Sequence, residues 1–404
     1  MEKNCIMILI VSSIFPPEPV VSANLSYDIA NALATENEVV VISPPPTRPF
    51  GLTFDKKASL DNSTFKHIVL DSYTCPKSKL LGRAIESLSF GLHTKKYIEK
   101  NHARIALIYA NTWPLFAQKI LAETASRYNI PLVLHIQDIY PESIATKIPY
   151  AGPLINKLLL PVDKKILNST KKIITISYKM RDYLMQSREL KKHQISVVRN
   201  WQNDDIFFNF KQNNPPQKSK IFTFMYLGSI SPTAGVELLV SAFGKADLKN
   251  ARLIIAGTGS DKEKCRQLAK SYPHKDIQFY EVSGTDVPGM QARADILLLP
   301  LKKGVAKTAL PSKLTAYMLS AKPIIATIDL DSEAADIIQD NACGYVIEAE
   351  NEQALIRCMD EVSGKSHDRL SAMGENSFNF ARQQLSRKHN LFKIISIINT
   401  IKGA

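Results

Sequence analysis

Residues 222–240 read FTFMYLGSISPTAGVELLV. This stretch contains an apolar run of strand length, a glycine-containing loop that starts at Gly228 and Ser229, and a helical pattern from Val236 to Lys245. A strand, a glycine turn and a helix in this order predict the opening of a doubly wound parallel sheet. Such a loop can present backbone N–H groups to a phosphate at the start of the helix. A plain strand-to-helix turn gives the same pattern, and this loop alone does not separate the two interpretations.

Short apolar runs alternate with helical patterns along the whole chain. The predicted buried strands are residues 6–12, 39–43, 105–109, 132–135, 173–177 and 195–198 in the first half, and 222–227, 252–256, 277–280, 296–300, 323–327 and 344–347 in the second. This alternation predicts a parallel sheet with helices on both faces, and it occurs twice. The fold class is therefore α/β, with two Rossmann-like domains, for which 404 residues are sufficient.

A polar stretch, residues 209–220, contains Asn-Asn-Pro-Pro and predicts a connection between the domains. We therefore expect an N-terminal domain over residues 1–205 and a C-terminal domain over residues 206–380. The last segment, residues 381–404, is basic and then apolar. We expect it to be a helix that packs back on the N-terminal domain.

The net charge of +13 is unevenly distributed: residues 1–200 carry 26 basic and 16 acidic side chains, a formal charge of +10. Such an excess indicates an anionic partner. Two segments of this half, residues 77–100 and 154–172, mix leucine and isoleucine with lysine, as helices at a membrane surface do. We expect contact with an anionic membrane, although an ordinary amphipathic helix has the same composition. No nucleic-acid reading motif is present, so nucleic acid is not an expected partner.

The N-terminal apolar run, residues 5–11, ends in Ser12 and Ser13 and then in a proline-rich turn, unlike a signal peptide with its cleavage site. No stretch approaches the roughly 20 apolar residues of a membrane span. The five cysteines show neither zinc nor redox spacing. We expect a cytoplasmic protein that is peripheral on the inner face of the cytoplasmic membrane.

Further candidate ligand-binding residues follow other predicted strands, because doubly wound sheets bind ligands at the carboxyl ends of their strands. Gly257, Thr258 and Gly259 form a second small loop that resembles a shortened dinucleotide fingerprint. Lys313 stands with Ser312 at a predicted helix start, where an ammonium, a hydroxyl and backbone N–H groups can converge on a diphosphate. Lys302 and Lys303, in the loop before it, are interpreted as solvated.

In the first half, His135 ends a predicted strand, and Asp138 and Glu142 follow within seven residues. The carboxylates could orient the histidine or polarise an acceptor hydroxyl. A histidine at a strand end is more often a structural residue, so both interpretations are kept.

Three acidic residues follow the predicted strand 323–327. Asp329 and Asp331 form an Asp-x-Asp turn, for which a solvated turn is a better interpretation than a metal site. Glu333 opens a helix, where it could interact with the helix dipole or accept hydrogen bonds from sugar or ribose hydroxyls.

Taken in order, these motifs resemble glycosyltransferase family 4, the retaining enzymes of the GT-B fold, over nearly the whole chain. The resemblance is carried by Phe-Pro-Pro-Glu-Pro at 15–19, residues 135–142, Val-Val-Arg-Asn-Trp at 197–201, Tyr-Leu-Gly at 226–228, Ala-Gly-Thr-Gly at 256–259, Ala-Asp-Ile-Leu-Leu-Leu-Pro at 294–300, Pro-Ser-Lys-Leu at 311–314 and residues 317–326. The Asn-Trp and Pro-Ser-Lys-Leu forms are similar to the branch that builds capsule, O-antigen and colanic-acid repeats, including N-acetylfucosaminyl transferases.

The resemblance implies a nucleotide-diphosphate sugar, UDP-linked, held mainly by the C-terminal domain in a cleft between the halves. The expected donor-binding residues are Gly228, Ser229, Gly257, Thr258, Gly259, Ser312, Lys313, Leu314 and Glu333. The expected acceptor is a polyprenyl-diphosphate-linked glycan on the N-terminal side, at Pro19, Val20, Asn24 and Glu142. The expected catalytic residues are His135, Asp138 and Lys313.

The resemblance also implies transfer with retention, an N-acetylated amino sugar such as N-acetylfucosamine as one candidate, and neither metal nor cofactor. A metal is unnecessary where a basic side chain neutralises the departing diphosphate.

The chain departs from the family pattern at the residues that usually hold the sugar and the ribose. Ser229 and Ala234 replace an arginine and a lysine, Thr308 and Ala316 replace two glutamates, Ala321 replaces a glycine, and residues 19–24 replace a Gly-Gly loop. Lys313, Ser312 and Glu333 are therefore the predicted substitutes. Two alternatives stay open: a nucleotide-sugar epimerase of the same fold, and a non-catalytic nucleotide-sugar-binding subunit, which the missing glutamates favour.

Overall fold

The computed structural model describes residues 6–47, 54, 64–76, 80–111, 115–145, 148, 151–214, 220–282, 286–306 and 310–403. The chain divides into two compact units. Unit 1 comprises Met1–Arg199 and Asn390–Ala404, and unit 2 comprises Asn200–His389.

Unit 1 is built on a parallel sheet of seven strands in the order β3-β2-β1-β4-β5-β6-β7. Its strands are β1 (Met7–Val11), β2 (Glu38–Ser43), β3 (Lys66–Val69), β4 (Ile105–Asn111), β5 (Leu132–Ile136), β6 (Lys172–Thr175) and β7 (Ile195–Val197). Its helices are α1 (Val21–Leu33), α2 (Leu80–Asn101), α3 (Leu115–Arg127), α4 (Glu142–Ala145), α5 (Gly152–Ser169) and α6 (Tyr178–Arg188). The strand β1 is buried along its whole length because helices cover both faces of a parallel sheet.

Unit 2 repeats the scheme with six parallel strands in the order β10-β9-β8-β11-β12-β13. Its strands are β8 (Phe222–Leu227), β9 (Ala251–Ala256), β10 (Asp276–Tyr280), β11 (Ile296–Pro300), β12 (Ile324–Ile328) and β13 (Gly344–Glu348). Its helices are α7 (Asp205–Asn213), α8 (Val236–Lys245), α9 (Lys262–Ala269), α10 (Val287–Ala292), α11 (Ser312–Leu319), α12 (Glu333–Asp340), α13 (Glu352–Ser363) and α14 (His367–Phe380). Two apolar clusters make up its core.

The predicted fold class is confirmed: two parallel-sheet α/β domains are present, and each of the twelve predicted strands is found. One strand was missed. β3 lies at the edge of its sheet and begins with Lys66 and His67, and none of its residues is fully buried. An edge strand of this kind lacks the apolar run by which the central strands are recognised.

Two connections differ from expectation. The predicted polar connection is wrong for residues 209–213, which complete α7; its buried Phe207 supplies the apolar contact that holds this short helix. Residues 215–219 lie outside the described part. The C-terminal segment is helical but interrupted: a π-helical turn, Ala381–Leu385, follows α14, and Ser386 is extended before the last helix, α15 (Arg387–Lys402).

Among the described helices, none combines the length and the apolar character needed to cross a bilayer.

Ala321 has a left-handed backbone, with a φ of 53°, directly after the residue that caps α11. This position after a helix usually carries glycine, because a Cβ is strained there by about 1–2 kcal/mol. Ala321 therefore adopts a backbone conformation that glycine reaches more easily.

We predict that Ala321→Gly raises the free energy of unfolding by about 0.5–1 kcal/mol, since relief of strain outweighs the greater entropy of an unfolded glycine. Urea titration measures the change. The control is Ala372→Gly on the exposed side of α14, which should lower stability by about 1 kcal/mol. A loss of stability in Ala321→Gly would contradict the strain argument.

Candidate active site

Two short loops meet at the carboxyl ends of β8 and β9 in unit 2. The N–H of Gly228 donates to the Ala256 carbonyl at 2.9 Å, and the N–H of Ile230 donates to the Thr258 carbonyl at 2.8 Å. A Cβ on Gly257 would lie 2.0 Å from the carbonyl oxygen of Gly228, and its φ is 140°. Both constraints demand glycine, because the loops touch through bare backbone.

The outer edges of these loops are exposed. Ser229, Thr258 and Gly259 all face solvent, and the Ser229 carbonyl accepts a hydrogen bond from the hydroxyl of Tyr226 at 2.5 Å. A Cβ on Gly259 would lie 2.1 Å from the Ile230 carbonyl oxygen, so this glycine also permits the close approach of the two loops. The five predicted loop residues therefore form one surface at the end of the sheet where such folds bind ligands.

Lys313 lies directly over Gly228. A Cβ on Gly228 would stand 2.1 Å from Cε and 3.3 Å from Nζ of the lysine, so the side chain occupies the space that glycine leaves open. Its Nζ lies 5.5 Å from the ring centroid of Tyr226. Burial lowers the pKa of Lys313 below its ordinary value. Among the described residues, no carboxylate lies within 4 Å of this ammonium.

Tyr317 fixes the helix that carries Lys313. Its fully buried hydroxyl donates to the carbonyl of Leu227 at 3.0 Å and accepts from the N–H of the same residue at 2.9 Å. One turn of α11 is thereby fastened to the last residue of β8. Because Lys313 lies four residues before Tyr317, the two bonds set the position of the lysine over the loop. This role of Tyr317 is not evident from the sequence, because a tyrosine within an apolar helix gives no signal of it.

The other two residues predicted at this helix start have different environments. Ser312 is exposed as the first residue of α11, and its carbonyl accepts a hydrogen bond from the side chain of Gln202 at 2.6 Å. Leu314 is fully buried and packs in the core, so it anchors the helix. A ligand at this end could reach the Ser312 hydroxyl and the Lys313 ammonium.

The loop before α11 is held by an acidic residue of the Asp-x-Asp turn. Both oxygens of Asp329 accept from the N–H of Gly304 at 2.8 and 2.9 Å, and one also accepts from the N–H of Ala306 at 3.2 Å. Lys302 pairs with Glu350 at 3.3 Å. Asp329 therefore has a structural role, which is to hold the loop before α11 by hydrogen bonds to its backbone. Thr308, one of the two residues that replace glutamates of the family pattern, lies outside the described residues.

Glu333 begins α12, with Ser332 as the N-cap residue, and it is 7% exposed. A carboxylate in the first turn of a helix is stabilised by the helix dipole. Two positions at which the family pattern has charged residues, Ala234 and Ala316, are also buried, and they offer no polar side chain. Neither can bind a ribose hydroxyl.

In unit 1, His135 lies inside the sheet rather than on its surface. It is fully buried, and its Nδ1 lies 2.7 Å from the hydroxyl of Tyr109, which also donates to Asn111 at 3.2 Å. Asn111 continues the chain of hydrogen bonds to Ser12 and Ser26. Burial lowers the pKa of His135 to about 4, so the ring is neutral at pH 7. Its catalytic role stays a prediction.

Four of the other residues predicted in unit 1 lie at strand ends or helix starts. Asp138 is exposed two residues after the end of β5. Pro19 and Asn24 are exposed, and Val20 is the half-buried N-cap residue of α1. These positions are accessible to an acceptor.

Glu142 is engaged by Arg188, a residue that the sequence analysis missed. Both of its oxygens accept from the guanidinium, at 2.5 and 2.8 Å, and one accepts from the Tyr183 hydroxyl at 2.7 Å. Burial alone would raise the pKa of Glu142, but these hydrogen bonds outweigh it and lower the pKa. This network explains Glu142 without a substrate.

Arg188 also pairs with a second acidic residue. Its Nε donates to Asp163 at 2.8 Å and its Nη2 donates to the Tyr140 carbonyl at 2.6 Å. The guanidinium is fully buried. Burial raises the pKa of Asp163 to about 6, although Arg188 opposes the rise. Within the described ranges, no group of three or more His, Cys, Asp or Glu side chains could hold a metal ion.

Two family comparisons cover most of the chain. The family described as Glycosyltransferase Family 4 matches residues 22–205, and the family described as Glycosyl transferases group 1 matches residues 205–380. The chain belongs to glycosyltransferase family 4. The family predicted from the sequence is confirmed, and the chain is a glycosyltransferase whose two parallel-sheet domains make up one GT-B fold.

The glycosyltransferase is similar to several known proteins. It is 21% identical over 277 residues to a probable glycosyltransferase, WbjE, of Pseudomonas aeruginosa, covering 67% of this chain and 68% of that protein. It is 23% identical over 239 residues to the putative colanic acid biosynthesis glycosyl transferase WcaI of Escherichia coli, and the match covers 55% of this chain and 58% of that protein. The crystal structure of Anabaena HepE with UDP superposes with a TM-score of 0.70 at 15% identity, covering 98% of this chain and 100% of that one.

The Arg188 network gives a stability prediction. We expect Arg188→Met to lower the free energy of unfolding of unit 1 by about 3–5 kcal/mol at pH 7, because two carboxylates lose their buried counter-ion. Their folded-state pKa values then lie above the unfolded values, so stability should rise as the pH falls from 7 to 5. Urea titration at both pH values measures the two effects.

The control is Arg181→Met, which removes an arginine that pairs with the exposed Asp182 at 2.7 Å. It should change stability by less than about 1 kcal/mol. Equal losses of stability in the two variants would contradict the role of Arg188 as a buried counter-ion. A loss of stability in Arg188→Met that grows towards pH 5 would also contradict it.

Proposed function

We propose that this glycosyltransferase moves a sugar from a UDP-linked donor, with retention at the anomeric carbon, to a polyprenyl-diphosphate-linked glycan in the assembly of a bacterial surface polysaccharide. Unit 2 binds the donor and unit 1 binds the acceptor. The sugar is an N-acetylated amino sugar, with N-acetylfucosamine as the first to test. The reaction proceeds without a metal ion or cofactor.

The observation that carries the donor proposal is the position of Lys313. An ammonium that burial partly desolvates, without a carboxylate within 4 Å among the described residues, is energetically unfavourable. It lies over the glycine loop at the carboxyl end of β8, with the N-terminus of α11 beside it. A diphosphate at this place would supply the missing negative charge and accept hydrogen bonds from the helix start.

The same group addresses the main energetic demand of the reaction. When the bond from the sugar to the diphosphate breaks, negative charge accumulates on the departing oxygen. A fixed cation at that point stabilises the charge as it develops, and it needs no reorganisation to do so. Lys313 is fixed in this way because Tyr317 fastens its helix to β8. A protein cation can thus perform the task that a divalent metal performs elsewhere.

Two comparisons support the chemistry of the substrates. The HepE structure contains UDP, which supports a uridine nucleotide. The name of WcaI refers to colanic acid biosynthesis, which supports a role in surface polysaccharide synthesis. A growing polysaccharide repeat is commonly carried on a membrane lipid, so the acceptor proposal requires unit 1 to approach a membrane.

Unit 1 has an exposed surface suited to that approach. On α2, Leu81, Ile85, Leu88 and Leu92 are 82%, 53%, 42% and 50% exposed and recur along one helical face. On α5, Leu154 and Leu158 are 60% and 63% exposed, and Lys157 and Lys165 are exposed beside them. Both helices pack against α3. We call these six apolar residues the apolar surface of unit 1. Lys77 and Lys79 lie outside the described residues.

Apolar side chains flanked by lysines bind anionic bilayers by two additive effects. The leucines enter the boundary between head groups and acyl chains, and each nearby basic residue adds about 1 kcal/mol at an anionic surface. This arrangement would bring the enzyme to the inner face of the cytoplasmic membrane, where a polyprenyl-diphosphate acceptor is located.

The donor proposal predicts that Lys313→Met reduces turnover of UDP-sugar by about 10²–10³-fold, because the departing diphosphate loses its counter-charge. UDP affinity, measured by calorimetry, should fall in parallel, and UDP should bind more tightly than ADP or GDP. The product of the wild-type enzyme, analysed by NMR, should have the anomeric configuration of the donor.

Lys302→Met is the matched control, because Lys302 is exposed and already paired with Glu350. Lys302→Met should leave the turnover of UDP-sugar and the affinity for UDP within about twofold of wild type. Wild-type turnover in Lys313→Met would contradict the role of this lysine. Release of an altered free sugar without any acceptor would instead identify an epimerase.

The membrane proposal predicts that the double variant Leu81→Ser and Leu158→Ser sediments with anionic phospholipid vesicles at least tenfold more weakly, because two large apolar side chains no longer enter the bilayer. Wild-type protein should bind vesicles of pure phosphatidylcholine much less than anionic ones. The control is Phe392→Ser on α15, whose side chain is 72% exposed but outside the apolar surface. Equal binding by the double variant and wild type would refute the membrane contact.

A further inference from the structure

Unit 2 contains a cavity of about 670 Å³ at the amino ends of its strands. Its wall includes Thr223 at the start of β8, Arg252 at the start of β9 and Pro323 immediately before β12. The glycine loops and Lys313 lie at the carboxyl ends of the same sheet. The cavity is therefore on the opposite edge of the sheet from the candidate donor site, and nothing in the proposed transfer reaction uses it.

The wall of the cavity carries an excess of positive charge. Its basic residues are Lys211, Arg252, Arg293 and Lys322, and its acidic residues are Asp295 and Glu375. Both acidic residues are engaged: Glu375 pairs with Lys211 at 2.6 Å, and Asp295 accepts the N–H of Thr223 at 2.8 Å.

Among the described residues, no carboxylate lies within hydrogen-bond distance of three of these cations. Arg252 Nε is buried without a hydrogen-bond acceptor, and the nearest carboxylate oxygen, of Asp276, is 3.8 Å away. Lys322 Nζ donates only to the backbone carbonyl of Ala292, at 3.0 Å. Arg293 lies 4.9 Å from the ring centroid of Tyr280. Across the described residues, no carboxylate lies within 4 Å of the Lys322 or Arg293 side-chain nitrogens.

Arg252 and Lys322 are only partly exposed, and removing a cation from water without neutralising it is costly. Their position on one cavity wall with the exposed Arg293 therefore indicates an anionic ligand. Burial lowers the pKa of Lys322, although Asp295 opposes the shift, which is consistent with an ammonium that lacks an anion. Guanidinium groups bind phosphate oxygens bidentately, and a lysine adds a point charge. The lining of the cavity also includes the apolar residues Phe207, Phe210 and Pro288.

We propose that this cavity binds a small organic phosphate monoester, with the phosphate at Arg252, Arg293 and Lys322 and the organic part against Phe207 and Phe210. The volume is sufficient for a sugar phosphate, since small-molecule sites commonly have several hundred Å³. The cavity also contacts Leu319 and Ser320 at the carboxyl end of α11, the helix whose other end carries Lys313.

The test is calorimetric titration of the full chain with glucose 6-phosphate, in the presence of saturating UDP to fill any donor site. Glucose is the matched uncharged probe. We expect saturable binding of one glucose 6-phosphate per chain in the presence of UDP, and no binding of glucose. Lys322→Met and Arg293→Gln should each weaken this binding at least tenfold, because each removes one phosphate contact.

Lys249→Met, at an exposed lysine outside the cavity, should bind the probe as the wild type does. The Lys313→Met variant should also bind it normally, which separates this site from the proposed donor site. Arg293 is exposed, so its variant should keep the fold even if the half-buried Lys322 cannot be replaced. Absence of saturable binding, competition by UDP, or unchanged affinity in both cavity variants would overturn the proposal.

Discussion

The candidate donor site depends on the contact between Lys313 and Gly228. The lysine side chain occupies the volume that any larger residue at position 228 would fill. Gly257 imposes a related constraint one strand away, because its Cβ would strike the Gly228 carbonyl. The two glycines let the loops after β8 and β9 approach each other and let α11 approach both. Tyr317 then fixes the distance through two hydrogen bonds to the last residue of β8.

The position of Lys313 offers a physical reason why the site can function without several charged residues of the family pattern. At positions where the family pattern that the sequence resembles often has charged residues, this chain has Ser229, Ala234 and Ala316, and Ala316 is buried in α11. The positive charge beside the glycine loops is that of Lys313, whose ammonium is partly desolvated by burial. A single charge acts more strongly in such surroundings than at the protein surface, since water screens it less. One lysine can thus supply much of the electrostatic stabilisation that several side chains supply elsewhere.

Much of the fold was predictable because its central strands are continuous apolar runs, as in β1 and β11, which only a doubly covered parallel sheet buries. The edge strand β3 and the helix α7 were missed because their few buried residues give no clear periodicity. At the site, the glycine loops and Lys313 were recognisable from position along the chain. The roles of Tyr317 and Arg188 were not, because each depends on partners distant in sequence. The environment of Glu142 likewise became clear only once Arg188, 46 residues later, was placed beside it.

A crystal structure of this glycosyltransferase with UDP bound would show directly whether Lys313 binds the diphosphate. We expect a diphosphate oxygen about 3 Å from Lys313 Nζ, within hydrogen-bond distance. We also expect the diphosphate to contact the backbone at Gly228 and at the start of α11. A diphosphate bound elsewhere, with Lys313 still lying over an empty glycine loop, would contradict this role of Lys313.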